Sequence, residues 1–419
     1  MFIKIFNNNL YKNYILFVVF LLPLLPLLNI LIPKFGLIKE ITVFGYIIIF
    51  MSIYNFHNLI EIKNTNFSII LVYCIYIIMH VFISTVSVES AFLGLKYHVI
   101  PLFLATILIV LNFNKPLRLL YIFLILMLCS NIIVDIIGII EYFKRDIITE
   151  LYGGYIKHTN YRDLQNARLV STLANPINLG VFLIIATLSA YTLLSFVKSY
   201  FIKSIVLIII LINIFIIIFT LSRSSYIGLF ILLLGYVFSS KKRFLYLIIL
   251  FSILISFNII NFSMINIFEE RLSDMSFSYM TTDLRIVNWY GIISNFFKES
   301  EFLFFGRGLG TLGWTAEGVL SENMYLGIFL ELGLFGIILF LFILLMFLKN
   351  ILVILKIDKN IGYLFLNFLI IFMVLGIFMD IHINLPTSFY FWFMILISEL
   401  IVRKYKIDEK NRFNNNIIQ

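Results

Sequence analysis

Residues 204–221 read SIVLIIILINIFIIIFTL, eighteen positions without a charged side chain. At about 1.5 Å per helical residue, that run reaches most of the way across the roughly 30 Å hydrocarbon layer of a bilayer. Similar apolar windows fall at 14–33, 40–56, 66–86, 91–112, 119–143, 177–197, 226–239, 244–263, 322–348, 361–380 and 386–402. The pattern predicts an all-α polytopic membrane protein of about twelve transmembrane helices, with residues 1–419 forming a single integral domain. The window 226–239 is short, so counts of eleven or thirteen stay open. Composition agrees: 62% of the chain is hydrophobic, 17% aromatic and only 13% charged. Soluble domains carry roughly a quarter charged residues. A net charge of +9 invites a nucleic-acid reading. The basic residues, however, stand singly or in short clusters between apolar spans, not gathered on one solvated face. Cys74 and Cys129 both lie inside apolar windows and read as small buried hydrophobes, with neither disulfide nor metal implied.

Lysine and arginine placement sets the orientation. With the N-terminus in the cytoplasm, inner segments hold eighteen of them, from Lys4 and Lys12 through Lys241, Lys242 and Arg243 to Arg412. The four short outer loops hold three: Lys34, Lys39 and Arg223. Both termini are therefore expected inside, and both long polar stretches, 144–176 and 264–321, outside. The run Tyr14–Pro33 is too long for a signal-peptide core and lacks a small-x-small cleavage site, so it reads as an uncleaved first helix.

Candidate chemistry collects on that outer side. Arg168 precedes Asn175-Pro176, a turn signal and helix start. Ser222-Arg223-Ser224-Ser225 joins two apolar helices in a tight hairpin with a guanidinium at the mouth, suited to a planar grip on phosphate. The second long loop holds Glu270-Arg271, then Asp283-Leu284-Arg285. From Leu284 to Phe297 the apolar positions Ile286, Trp289, Tyr290, Ile293, Phe296 and Phe297 recur at helical spacing, predicting an amphipathic interfacial helix capped by Thr282 or Asp283. Arg285 in its first turn opposes the helix dipole unless an anion sits nearby. Gly306-Arg307-Gly308-Leu309-Gly310 precedes no strand–helix unit and reads as a flexible turn, not a nucleotide loop. The next helix opens Ser321-Glu322-Asn323, with Glu322 as its expected outer cap. Glu331 lies about 13 Å further in, where a charge costs on the order of 2.5–3.5 kcal/mol. Lys96, His98, Asp380 and His382 lie at a similar depth, each a candidate partner. Together these residues describe a site for a phosphate-bearing substrate at the outer leaflet.

The order Arg168, Asn175-Pro176, Gly180, Ser222-Arg223-Ser224, Asp283-x-Arg285, Trp289, Gly306-x-Gly308-x-Gly310, Asn323-x-Tyr325-Leu326, Glu331-x-Gly333 and Gly336 resembles the O-antigen ligase and Wzy-type polymerase superfamily, over roughly residues 160–345. The resemblance implies a GT-C-like bundle and a metal- and cofactor-independent glycosyltransferase of the bacterial inner membrane. Its donors are oligosaccharides on undecaprenyl diphosphate, polymerised into O-antigen or capsule. Its partners are membrane lipid, a flippase and a chain-length regulator, and no nucleic acid. It also implies that Arg168, Arg223 and Arg285 hold the diphosphate, with Arg271, Asn175, Asp283, Asn323, Glu331 and Asp380 binding substrate. Ligases of the superfamily carry a His just before the helix-opening Asn. Here Glu322 stands there, which favours polymerase over ligase and makes Glu322 the expected group to deprotonate or orient the attacking hydroxyl, with Asp380 second. Two other readings compete: a ligase acting on the lipid A core, and an oligosaccharide transporter or flippase. Against the latter stand the two outer loops and the lack of internal repeats. The orientation is checked by reporter fusions. A fluorescent protein at the C-terminus is expected to fluoresce, and alkaline phosphatase is expected to be active only when fused within 144–176 or 264–321.

Overall fold

The computed structural model describes residues 9–53, 67–111, 115–144, 151–152, 168–239, 284–298, 301–312 and 321–418. The apolar window 244–263, most of the stretch 144–176, and Arg271 and Asp283 lie outside the described residues. Among the described residues the elements are all helical. They are α1 (Asn9–Leu21), α2 (Leu25–Leu31), α3 (Ile38–Ile53), α4 (Phe67–Met79), α5 (Val88–Leu111), α6 (Pro116–Phe143) and α7 (Pro176–Phe196). There follow α8 (Tyr200–Phe219), α9 (Arg223–Ser239), α10 (Leu284–Lys298), the single turn α11 (Phe302–Phe305), α12 (Met324–Ile357), α13 (Lys359–Leu375) and α14 (Thr387–Ile418). Among the described residues, six stretches are long and apolar enough to cross a membrane: Lys12–Leu31, Val88–Val110, Pro116–Phe143, Pro176–Phe196, Tyr200–Phe219 and Met324–Ile357. α4, α9 and α13 are shorter and also apolar. The chain is a polytopic helical membrane protein.

Two consecutive apolar helices end up in different places, the more apolar of them on the outside. α7 buries nearly every residue from Leu179 to Ala190 and packs against α6, α8, α9 and α13 at the bundle centre. α8 turns only Val206, Ile209, Asn213, Ile214, Ile216, Ile217 and Phe219 inward, and leaves Phe201, Leu207, Ile208 and Leu211 at least half exposed. Such an outward apolar face is the one lipid covers, and it recurs at Phe17, Ile41, Leu71 and Leu345. Cys129 belongs to the outward stripe of α6 with Ile125, Ile132 and Ile136. It is exposed, unlike Cys74, because it falls on the lipid side of a helix whose other face alone meets the bundle.

The apolar window 322–348 predicts one continuous helix, but α12 is broken at Gly333, whose φ of 65° and ψ of −165° no helix contains. A break strands backbone carbonyls, which must find donors in a water-poor setting. The glycine-rich segment supplies them: Arg307 N donates to Leu330 O (2.8 Å) and Gly308 N to Glu331 O (3.0 Å). Tyr76 Oη donates to Leu332 O (2.8 Å). The other side of the segment is pinned to the α4–α5 connection, with Thr85 N donating to Arg307 O (2.9 Å) and Ser84 Oγ to Leu309 O (2.7 Å). His80 contacts Phe305 O at 2.7 Å through Nε2. The segment 306–310 is thus no flexible turn; the orphan carbonyls of a broken helix hold it in place. Gly310 sits at φ +83°, and a Cβ there would lie 2.2 Å from Ser90 O. Gly310→Ala is therefore expected to destabilise the protein by at least about 1–3 kcal/mol, read as a lowered thermal midpoint in detergent.

Candidate functional site

The start of α12 is a corner where a helix cap and several side-chain contacts meet. Asn323 is the helix cap, its Oδ1 accepting from Tyr325 N (3.0 Å) and Leu326 N (3.1 Å). Glu322 is not the cap: at φ +43° its chain turns away from the helix and its carboxylate accepts from Arg285 Nε. Trp289 Nε1 donates to Ser321 O (2.6 Å), so α10 is fastened to this corner through two of its side chains. Ser321 Oγ donates to Asp380 Oδ1 (2.8 Å), and Met324 N donates to Gly376 O (2.7 Å). The α13–α14 connection is thereby tied to the same corner. α10 has the expected amphipathic character: Ile286, Val287, Tyr290 and Ile293 are exposed and Ile292 is buried.

A second corner forms at the start of α7. Asn175 caps it, accepting from Ile177 N (2.8 Å) and Asn178 N (3.2 Å), with Pro176 in the first turn. Arg168 Nε donates to Thr220 O (3.0 Å) at the end of α8, and Arg223 is the first residue of α9. A Cβ on Gly180 would meet Ser225 Oγ, so α7 and α9 touch directly. Gly228 of α9 in turn approaches Leu375, beside the Gly376 carbonyl that receives Met324 N. The N-terminal ends of α7, α9 and α12 therefore gather round the C-terminal end of α13. Arg168, Arg223 and Arg285 share this end of the bundle, where three positive helix ends add to their charge.

Beneath the α12 corner lies Glu331, 1% exposed. Of its four candidate partners the structure selects His98, whose Nε2 is 2.7 Å from Oε2. Gly310 N donates to Oε1 (2.8 Å). Lys96 instead pairs with Glu40 of α3 at 2.8 Å. His382 packs on the His98 ring with centroids 5.2 Å apart, and Asp380 bonds Ser321. Both residues lie in the connection after α13, which ends at Leu375, not within a longer helix. Burial pushes the Asp380 carboxyl up to about 7, against the opposing hydrogen bond from Ser321. It holds the His382 imidazole well below its usual range, so that ring is neutral.

Two carboxylates in the window 119–143 escaped the sequence reading, although an acid inside a membrane span is itself a signal. Glu141, 1% exposed, accepts from Val170 N (3.1 Å) and Ser171 N (2.7 Å) and so anchors the approach to α7. Asp135 accepts from Asn131 Nδ2 (3.0 Å), and Asn131 reaches on to Asn213 (2.9 Å). With the Asn213 amide turned to face it, Asp135 gains a second donor at 2.9 Å. This network joins α6, α7 and α8 through Thr187. Among the described residues, no three His, Cys, Asp or Glu side chains converge as a metal site.

Asp380 gives this corner a pH signature. Its carboxyl is protonated up to about 7 in the folded protein and up to about 3.8 when unfolded. Its contribution to stability is full at low pH and shrinks as pH rises through that interval, where the unfolded state gives up its proton first. The thermal midpoint difference between wild type and Asp380→Asn is expected to change between pH about 4 and about 7 and to level off above. A difference independent of pH would remove Asp380 as its source. No family model and no curated protein sequence matches this chain.

Proposed function

We propose that this protein is a glycosyltransferase of the bacterial inner membrane that polymerises undecaprenyl-diphosphate-linked oligosaccharide repeat units into O-antigen or capsular polysaccharide on the outer face. In this reading the bundle has about twelve spans in a GT-C-like arrangement, both termini are cytoplasmic, and α10 lies in the outer interface with its apolar face in lipid. The observation that carries it is the Arg285–Glu322 pair just before the start of α12, at the end of the bundle where Arg168 and Arg223 also sit. A guanidinium resting on a half-exposed carboxylate is charge-balanced at rest and exchangeable. A lipid diphosphate offers more negative charge and a bidentate acceptor, so it takes Arg285 over. The arginines then stabilise the diphosphate as it leaves, which is electrostatic catalysis by groups already in place. Arg271 and Asp283 join the same loop in this proposal, and Asn175 and Asn323 fix the helix ends that present the arginines. Glu322 orients Arg285 and lies where an incoming sugar hydroxyl passes.

A ligase would share this chemistry and differ only in acceptor. A transporter draws support from the interrupted helix, since broken helices bind ions through free carbonyls. Here the carbonyls of residues 330, 331 and 332 already accept from Arg307, Gly308 and Tyr76, which counts against that reading. The test is to delete the gene and separate the surface glycan by size. A ladder is expected to collapse to a single repeat unit on its acceptor and to return with wild type. Arg285→Ala is expected to restore less than about a hundredth of the elongation, and Glu322→Gln to fall well short of wild type. Long lipid-linked polymer that persists without transfer points to ligase. Repeat units trapped on the inner leaflet point to a transporter.

A further inference from the structure

Glu322 holds a left-handed backbone, φ +43°, which a residue with a Cβ adopts only at a cost. Both of its neighbours are pinned. Ser321 takes Trp289 Nε1 at its carbonyl (2.6 Å) and gives its hydroxyl to Asp380 Oδ1 (2.8 Å). Asn323 is fixed by the two amides it caps. The backbone therefore aims the Glu322 carboxylate away from α12 and toward Arg285, which donates to it through Nε.

A carboxylate let go at a helix start ordinarily falls back onto the free amides there. Here that retreat is closed. Asn323 Oδ1 already accepts from Tyr325 N and Leu326 N, and Met324 N donates to Gly376 O. Glu322 thus has two states, covered by Arg285 or open to whatever enters the corner. The Arg285 and Glu322 side chains are 28% and 41% exposed, so an incoming group can reach both. A diphosphate brings more charge than a carboxylate and a bidentate acceptor, and so wins the guanidinium. Lying beside Glu322, it also repels the carboxylate it displaces.

We propose that the Arg285–Glu322 pair is an autoinhibitory contact opened by the donor's diphosphate. The guanidinium passes to the diphosphate, and the uncovered Glu322 carboxylate then accepts the hydrogen bond of the acceptor's hydroxyl. The proposal rests on the glycosyltransferase reading and adds an order of binding to it. Donor and acceptor are both lipid-linked oligosaccharides in that reading, so an acceptor must be kept from engaging an empty site. A covered carboxylate does this. The two affinities are then coupled: whatever takes Arg285 improves the acceptor's site, and by linkage a hydroxyl on Glu322 improves the donor's.

The test uses the full chain in nanodiscs, with farnesyl diphosphate standing in for the donor. Glu322→Gln removes the competitor for Arg285. Because the pair is partly exposed, this variant is expected to bind farnesyl diphosphate about two- to fivefold more tightly than wild type, while elongating poorly. A merely structural role would not split affinity from turnover in this way, since a loosened corner weakens both. Uncovering is read directly by infrared difference spectroscopy. Farnesyl diphosphate added to wild type is expected to shift a carboxylate band, and the shift is expected to be absent from Glu322→Gln and from Arg285→Ala. Glu322→Gln that binds no more tightly than wild type overturns the proposal. So does binding that leaves the band unmoved, or a shift that survives in Arg285→Ala. Wild type that binds no farnesyl diphosphate overturns the diphosphate site itself. Wild type that binds and opens the pair but does not elongate lipid-linked oligosaccharide overturns the transferase reading and leaves the exchange at Arg285 standing.

Discussion

A backbone carbonyl without a donor is costly inside a membrane bundle, and α12 strands a row of them at Gly333. The segment Gly306–Gly310 exists in its observed form to answer that. It gives its amides to α12, takes hydrogen bonds from the α4–α5 connection on its other side, and delivers Gly310 N to the Glu331 carboxylate. Three parts of the chain distant in sequence, near residues 80–94, 306–310 and 330–333, are bound by backbone contacts that need close approach. Glycine at Gly94, Gly310 and Gly333 follows from those distances. The break also decides where Glu331 can sit. It lies in the last turn before the kink, where a carboxylate has both an amide and an imidazole to meet.

Buried charge elsewhere in the bundle obeys the same accounting. Among the described residues, buried acids are placed against specific partners: Glu331 against His98 and Gly310, Glu40 in an ion pair with Lys96, Glu141 against two successive backbone amides, Asp135 against the side-chain amide of Asn131, and Glu399 against that of Asn350. None of these acids lies on the lipid-facing stripes carried by Leu207, Leu211 or Ile136. Pairing of this kind adds little net stability, but it fixes which helix faces meet. Asn131, Asn213 and Thr187 show the same logic with neutral groups, bridging α6, α8 and α7.

The sequence made the helices legible because a twenty-residue apolar run has one interpretation in a bilayer. It also gave away Asn175-Pro176 as a helix start, since capping is local chemistry. What it hid was everything set by tertiary contact. Hydropathy cannot see the break in α12, because Gly333 is apolar and its neighbours continue the run. It cannot tell Cys129 from Cys74, because apolarity does not say which face meets lipid. The choice of His98 over Lys96 for Glu331 depends on how α5 is rotated, and Lys96 is drawn off by Glu40 of α3. Glu322 looked like the cap because acids favour helix starts. Asn323, one residue on, has the shorter side chain that can reach the N2 and N3 amides.

That displacement of Glu322 from the cap gives the corner its chemical character. A capping carboxylate would spend its charge on backbone amides and lie flat against the helix. Turned outward at φ +43°, it meets Arg285 instead, and the first amides of α12 are met by Asn323 and the Gly376 carbonyl. The corner therefore presents an exchangeable ion pair beside a helix start whose first amides are already met. Beneath it, a layer of Ser321 and Asp380 leads to the imidazole–carboxylate pair. In this fold both pairs are consequences of where α12 begins and where it breaks.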